Sequence, residues 1–498
     1  MTIQSQPAML QLLITQACTC DFQSQPFKGR SVTLPAKQVE LTNWSKSAHS
    51  ACFVYPAEDV GDIRAALAAA RAQDLSVIPH GAGHSYTDAA LNTAGIVIDV
   101  TSMRRIQSWD PAQGIMQVEP GVTLQAMVET AWPDGWWPAN SPSTARVTLA
   151  GCAAMNINGR NAWKTGPFGA NILSLDVILS TGEVRTFTPE RDPLLFHAFV
   201  GSMGLLGIIT SVTVQLQRAG SGYVAVRQHS AAGLDEIFDL FTQEKSGSDF
   251  MEAWLDGFAR GDQLGRGHVT CAVLSPSGPH NDSPFRTFAN HGRLEESAVS
   301  LAARLARPAL VPAVQMANRG NYWWARQARR KNGQLRGLIP YTYWPWAFFT
   351  GYHALLPHGI ETFQAFVPEP AAPVIFKQIL LYSQQHDCMP LWCVIKKHRR
   401  DPFLLSYQVD GFSLELNYAR AGRNAQTLQP VLEHMIAMVI DAGGRFYLAK
   451  DHFLTSAQYR QSVGEQAVET FLQLKQQLDP EMRLQSDLFR RLFLPGPG

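Results

Sequence analysis

Within seven consecutive residues the chain sets two histidines, two glycines and a serine: His80-Gly81-Ala82-Gly83-His84-Ser85-Tyr86. Glycines at alternate positions reach φ values closed to other residues, so successive backbone N–H groups can turn to one side and cradle an anion. A diphosphate is the natural occupant. The imidazole of His84, between Gly83 and Ser85, is either a point of covalent attachment or a ring that only makes a hydrogen bond, with His80 as its neighbour. The loop is not the usual dinucleotide fingerprint, because Tyr86 stands where a third glycine would be and no helical pattern follows at once.

A second group of candidates lies far along the chain. Gly411-Phe412-Ser413-Leu414-Glu415-Leu416-Asn417-Tyr418 alternates apolar and polar residues, so Glu415 faces either solvent or a cavity where it can orient or deprotonate a hydroxyl. Gln364 and Lys396, each in a strand-like run, carry the same two readings. Lys450 follows Phe446 and Leu448; alone it would snorkel to water. Tyr341-Thr342-Tyr343-Trp344-Pro345-Trp346-Ala347-Phe348-Phe349 is either a cover over substrate or loop packing. Small residues dominate positions 147–161, which suits either a wall against a flat ring or tight strand packing. Within them Gly159-Arg160-Asn161-Ala162-Trp163-Lys164-Thr165 fails as a P-loop, since Trp163 occupies an obligatory glycine position.

The elements that must position these residues follow from periodicity. Cys52 to Tyr55 reads as a strand, 58–73 as a helix with acids in its first turn, and Leu75-Ser76-Val77-Ile78-Pro79 and Ile96-Val97-Ile98-Asp99-Val100 as buried strands bracketing the glycine loop. A strand over 115–119, a helix over 122–131, a hydroxyl-rich loop over 138–144 and a hairpin over 171–187 follow. After the strand at 208–216 the style changes near Gln217. The next two hundred or so residues hold most of the aromatics and read as a second domain, a sheet with flanking helices. Helices over 430–442 and 463–478 end the chain's regular pattern.

Composition bounds the function. With 498 residues, 46% hydrophobic and 17% charged, the chain is long enough for two or three domains. A formal net charge of +1 leaves no footprint for nucleic acid. Seven scattered cysteines, without Cys-x-x-Cys, argue against a disulfide framework or a zinc site and fit the reducing cytoplasm. The apolar stretch at 8–17 lacks a preceding basic residue, and no run has the length of a membrane span.

Gly81-Ala82-Gly83-His84-Ser85, followed by Ile96-Val97-Ile98-Asp99, resembles the diphosphate loop of the vanillyl-alcohol-oxidase (PCMH-type) flavoproteins. In many of these a histidine at the place of His84 bonds covalently to the flavin methyl carbon. Over nearly the whole chain the resemblance is to the decaprenylphosphoryl-ribose oxidases, the oxidising half of an epimerase pair. It rests on the glycine loop, on Gln364-Ala365-Phe366-Val367-Pro368, Val394-Ile395-Lys396 and Thr342-Tyr343-Trp344-Pro345, and on Gly443-Gly444-Arg445-Phe446-Tyr447-Leu448-Ala449-Lys450-Asp451, Leu478-Asp479-Pro480 and Ser486-Asp487-Leu488-Phe489-Arg490-Arg491-Leu492.

The resemblance implies FAD and an α+β fold: a two-lobed PCMH-type FAD-binding domain with an inserted substrate (cap) domain built on an antiparallel sheet with helices. The expected divisions are 1–217 and 443–498 for the FAD-binding domain and 218–442 for the cap. By the same resemblance His80, Gly81, Ala82, Gly83, His84, Ser85, Tyr86, Ser143, Thr144, Thr148, Gly151, Ala154, Asn158, Gly159, Ile208 and Tyr447 contact the cofactor. Lys450, Lys396, Gln364, Tyr343 and Tyr86 line its substrate side, Lys450 stabilising negative charge at N1 and the C2 carbonyl.

Three departures matter. The lipid-sugar oxidases lack a histidine at the position of His84, whereas alditol and aldonolactone oxidases have one. Asn158 replaces a family histidine, and Glu415 replaces an active-site cysteine. The expected reaction is therefore oxidation of a CH–OH group of a sugar, polyol or related secondary alcohol by hydride transfer to flavin N5, with FAD attached through His84 and O2 or another acceptor taking the electrons. The alternative is the dehydrogenase half of a polyprenylphosphoryl-pentose epimerase, partnered by a short-chain reductase. A nucleotide-binding scaffold without catalysis is the competitor from outside the enzymes.

Overall fold

A computed structural model describes residues 37–278, 309–328, 333–349, 355–420 and 424–494. The apolar segment at 8–17 lies outside them. Three sheets carry the α+β architecture. The first has four strands: Val39–Thr42, His49–Pro56, Ile96–Asp99 and Val77–His80 in spatial order. Its last three strands run parallel, with His80 opposite Asp99. The crossover between them is the helix Val60–Ala72, capped where the Asp59 carboxylate accepts from the Asp62 N–H. Ile63, Ala66, Leu67 and Ala70 face inward at helical spacing and pack on Val77, Ile96 and Ile98.

The second sheet is antiparallel, in the order Ile106–Asp110, Ile115–Val118, Ile208–Arg218, Ile172–Ile178, Val184–Phe187, with Trp136–Pro138 also on the long central strand. The expected hairpin over 171–187 is its Ile172–Ile178 and Val184–Phe187 pair. The small-residue run differs from its strand reading: it forms the short helix Leu149–Ala154, begun by Thr148, and then a loop. Ala, Gly and Cys there let the helix lie close to the central strand, where β-branched residues would stand it off.

Between Arg218 and Tyr223 the chain passes into the third sheet. Its eight strands run in the order Gln334–Gly337, Tyr223–Ala231, Gly267–Leu274, Phe250–Leu255, Trp392–His398, Gly411–Ala419, Ile360–Pro368, Arg445–Phe446. Phe238 and Phe241 of the helix Leu234–Glu244, and Phe376 of Ala372–Gln385, bury one face against Phe412 and its neighbours. The alternate residues of the same strands look the other way. In that direction Trp254, Val394, Glu415 and Gln364 stand opposite one another across four strands.

The C-terminal segment ties the layers together. Arg445–Phe446 closes the edge of the third sheet against Ala365 and Phe366. The strand ends there, and Lys450 N bonds to Tyr447 O at 2.9 Å in a turn. Ala449 O then accepts from Tyr86 N at 2.8 Å, and Val77 N donates to Arg483 O at 2.7 Å. The helix expected over 463–478 is Glu465–Leu478; a separate helix, Ser456–Val463, precedes it, and Gly464 with φ 103° stands between the two.

Candidate active site

Between the second and third sheets lies a cavity of about 490 Å³, walled on one side by the glycine loop and on the other by the inward face of the eight-stranded sheet. The loop leaves the strand Val77–His80 and folds over the start of the helix Leu149–Ala154. A Cβ on Gly81 would sit 2.3 Å from Thr148 Oγ1, so no other residue fits without displacing that threonine. Gly83 has φ +66° and rests on the His80 ring, which burial holds below its ordinary pKa. Among the described residues the N–H groups of Ala82, Gly83 and Ser85 make no backbone hydrogen bond. These are the donors an anion would take.

His84 lines the cavity, its ring stacked on Trp44 at 4.5 Å and 12°. Its Nδ1 lies 2.8 Å from Ala82 O. A carbonyl only accepts, so Nδ1 carries the proton of the neutral ring and Nε2 the lone pair. Burial lowers the pKa and keeps the ring neutral.

On the opposite wall Lys450 Nζ lies 2.5 Å from Glu415 Oε2, while Glu415 Oε1 accepts from Asn417 Nδ2 at 3.2 Å. Asn417 Oδ1 in turn accepts from Thr362 Oγ1 at 2.7 Å. Burial pushes the Glu415 pKa up, but Lys450 and Lys396 outweigh it and hold the carboxylate below its usual range. Burial pulls Lys450 down from the usual lysine range, opposed by Glu415. The Lys450 ammonium sits 5.2 Å from the centre of the Tyr86 ring. Lys396 makes no hydrogen bond among the described residues; its contact with Glu252 Oε2 is 3.8 Å, and Glu252 Oε1 meets Arg160 Nε at 3.2 Å. Gln364 Oε1, buried beside them, has no hydrogen-bond partner among the described residues. Three cations and two carboxylates line the cavity, leaving one positive charge in excess.

Most of the residues singled out in the sequence therefore meet on one cavity: Gly81, Ala82, Gly83, His84, Ser85, Tyr86, Ser143, Thr144, Thr148, Gly151, Ala154, Asn158 and Tyr447 with Gln364, Lys396, Glu415 and Lys450. Four lie outside its lining. Tyr343 is wholly buried in the helix Leu338–Phe349, its hydroxyl 2.8 Å from Ser141 Oγ, so it supports the 138–144 loop from behind. His80 sits beneath Gly83. Gly159 is pressed against Ser141 O, where a Cβ would approach to 2.2 Å. Ile208 points into the core with Val77 and Ile96, and its neighbour Ile209 faces the cavity, the one-residue alternation of a strand. Sequence reasoning missed Glu252, Trp254 and Trp392. Their signal was the period-two pattern of Phe250–Leu255 and Trp392–His398, which puts all three on the face of Lys396.

The donor set fits an FAD: open N–H groups on a loop no side chain can fill, a small-residue wall, and a buried amide oxygen, Gln364 Oε1, near the Lys396 ammonium. Residues 50–188 match the family described as FAD binding domain. The chain carries an FAD-binding domain, and its likenesses support an FAD-dependent oxidoreductase. It is similar to decaprenylphosphoryl-beta-D-ribose oxidase of Mycolicibacterium smegmatis, 27% identical over 92% of this chain and 98% of that one. Cytokinin dehydrogenase 2 of Oryza sativa is 33% identical over 34% of this chain and 32% of its own. A putative D-arabinono-1,4-lactone oxidase of Neurospora crassa is 28% identical over 43% and 38%.

Proposed function

We propose that the protein oxidises a CH–OH group of a sugar, polyol or related secondary alcohol. The observation that carries this reading is the Glu415–Lys450 pair, 2.5 Å apart on the wall that faces the glycine loop. FAD, when bound, supplies the hydride acceptor at N5. Glu415, ionised by its two lysine neighbours, accepts the hydrogen bond of the substrate hydroxyl and then its proton. Gln364 Oε1 and the Lys396 ammonium take neighbouring hydroxyls, which fixes the reacting carbon. Lys450 holds a positive charge where electron density accumulates. Trp254, Val394 and Trp392 keep water from the same wall. Tyr343 supports the 138–144 loop through Ser141 and takes no part in the chemical step.

The neutral His84 ring, with its lone pair on Nε2, supports attachment of the flavin methyl carbon to that nitrogen. The proposed division assigns 1–217 and 443–498 to cofactor and 218–442 to substrate, with O2 or another acceptor taking the electrons. A second reading is favoured by the likeness to the M. smegmatis oxidase over almost its full length: oxidation of a polyprenylphosphoryl pentose, with a short-chain reductase completing an epimerisation.

The test is anaerobic mixing of the purified yellow protein with a panel of alditols, aldoses and a polyprenylphosphoryl pentose, read as bleaching of the flavin band. Bleaching by a soluble polyol or sugar supports the first reading; bleaching by the lipid-linked sugar alone supports the second. Bleaching by none, or bleaching unchanged in Lys450→Met and Glu415→Gln, overturns both. Acid precipitation reports the attachment: a yellow pellet that turns colourless in His84→Ala supports it, and a yellow supernatant from the wild type refutes it.

A further inference from the structure

The helix Leu310–Ala328 turns its apolar side the wrong way for a helix of a soluble sheet protein. Its inward side carries Asn318, which donates to Leu391 O at 3.3 Å, together with Ala325 and Tyr322, whose ring lies 5.4 Å from the Arg266 guanidinium carbon. The outward side carries Met316, Trp323 and Trp324, which are 71%, 59% and 66% exposed. Met316, Arg319, Trp323 and Arg326 follow one another at helical spacing along that side, and both arginines are exposed. An aromatic stripe flanked by arginines is left facing out.

Charge singles out the partner. Between Glu296 and Glu361 the sequence has eight arginines and lysines and no aspartate or glutamate, in a chain whose overall formal charge is only +1. Indole rings with adjacent guanidinium groups suit the boundary between headgroups and acyl chains of an anionic bilayer. No helix among the described residues is long and apolar enough to cross a membrane, so this one would lie along the surface. Its position gives the contact a purpose. At its N-terminal end Leu310 and Val314 pack in one apolar cluster with Trp44, Tyr86, Ile360 and Trp392, all four of which line the cavity.

We propose that Leu310–Ala328 is a peripheral membrane-docking helix that sets the cavity wall against an anionic phospholipid surface. Docking of the protein stands by itself; that it delivers a lipid-linked substrate rests on the second functional reading above.

The test is sedimentation of the purified holoprotein with vesicles of phosphatidylcholine alone and of phosphatidylcholine with phosphatidylglycerol, alongside tryptophan emission. Binding to the anionic vesicles with a blue shift, weakened by salt, is expected. Trp323→Ser with Trp324→Ser should remove the binding, and Arg319→Gln with Arg326→Gln should weaken it roughly tenfold or more. An absence of binding, or binding equal in all variants, overturns the proposal. A dimer in lipid-free solution that the tryptophan variants dissociate overturns it too, because the stripe is then an interface between two copies. Flavin content and bleaching by any soluble substrate, measured on the same variants, should stay at the wild-type level. They report on the catalytic reading separately, and also show that the variants fold.

Discussion

Glu415 Oε2 and Lys450 Nζ meet at 2.5 Å although one comes from the middle of an eight-stranded sheet and the other from the turn after that sheet's last strand. Glu415 is buried and Lys450 half-buried, and each favours the charged form of the other. Removal of either leaves an uncompensated charge in a low-dielectric wall.

Glu415→Gln is therefore expected to lower kcat by roughly 10²- to 10⁴-fold as the proton acceptor is lost. Lys450, freed of its counter-ion, should titrate still further below the ordinary lysine range. The pH profile of kcat/KM checks this. In the wild type the acid limb lies below the usual carboxylate range and the alkaline limb below that of lysine; in Glu415→Gln the acid limb disappears and the alkaline limb moves to lower pH.

Gly81→Ala should displace Thr148 and reduce retained flavin, since the added Cβ would lie 2.3 Å from Thr148 Oγ1. Gly81→Ala with Thr148→Ala should recover much of it. The ratio of flavin to protein absorbance in the purified variants measures both.

Tyr343→Phe should leave kcat unchanged and cost about 1 kcal/mol of stability, because its hydroxyl holds Ser141 rather than the cavity. Thermal melting and steady-state rates together separate this from a substrate-contacting role.

Glu361 makes stability depend on pH in the opposite sense to Glu415. Burial, only partly offset by Arg420, raises its pKa to about 7. As pH rises from the ordinary carboxylate range towards that value, the unfolded chain releases the proton while the folded one keeps it, so stability falls. The loss across that window is about 3 kcal/mol. Melting temperature should decline over it in the wild type and less in Glu361→Gln.

The first lobe was legible because its signals are local. The glycine loop, its β-branched strands and the helix between them can be read within fifty or so residues of sequence, and the structure assembles them in that order. Glu415 was legible as a choice: alternation gave two faces, and only the packing of Phe238 and Phe241 on Phe412, with Phe376 against Phe238, decides which is inward. Glu252 and Trp254 went unread because nothing within Phe250–Leu255 says what lies opposite. That Tyr343 stands behind the cavity wall was not legible, because a tyrosine lining a cavity and one supporting it from behind have the same sequence pattern. Which of Ile208 and Ile209 turns its side chain to the cavity depends on a single step of the strand's two-residue repeat, which the sequence does not fix.

The hydrogen bonds from Tyr86 to Ala449 and from Val77 to Arg483 have a consequence for synthesis. The strands that bear the glycine loop leave the ribosome early, but the partners that fix them are translated almost last. The nascent chain must hold an unfinished lobe while the whole intervening sheet is made, a high-contact-order route with its attendant risk of aggregation. Shortening the protein at its C-terminal end would then strike first at the oldest part of the fold, the lobe where FAD is expected to bind.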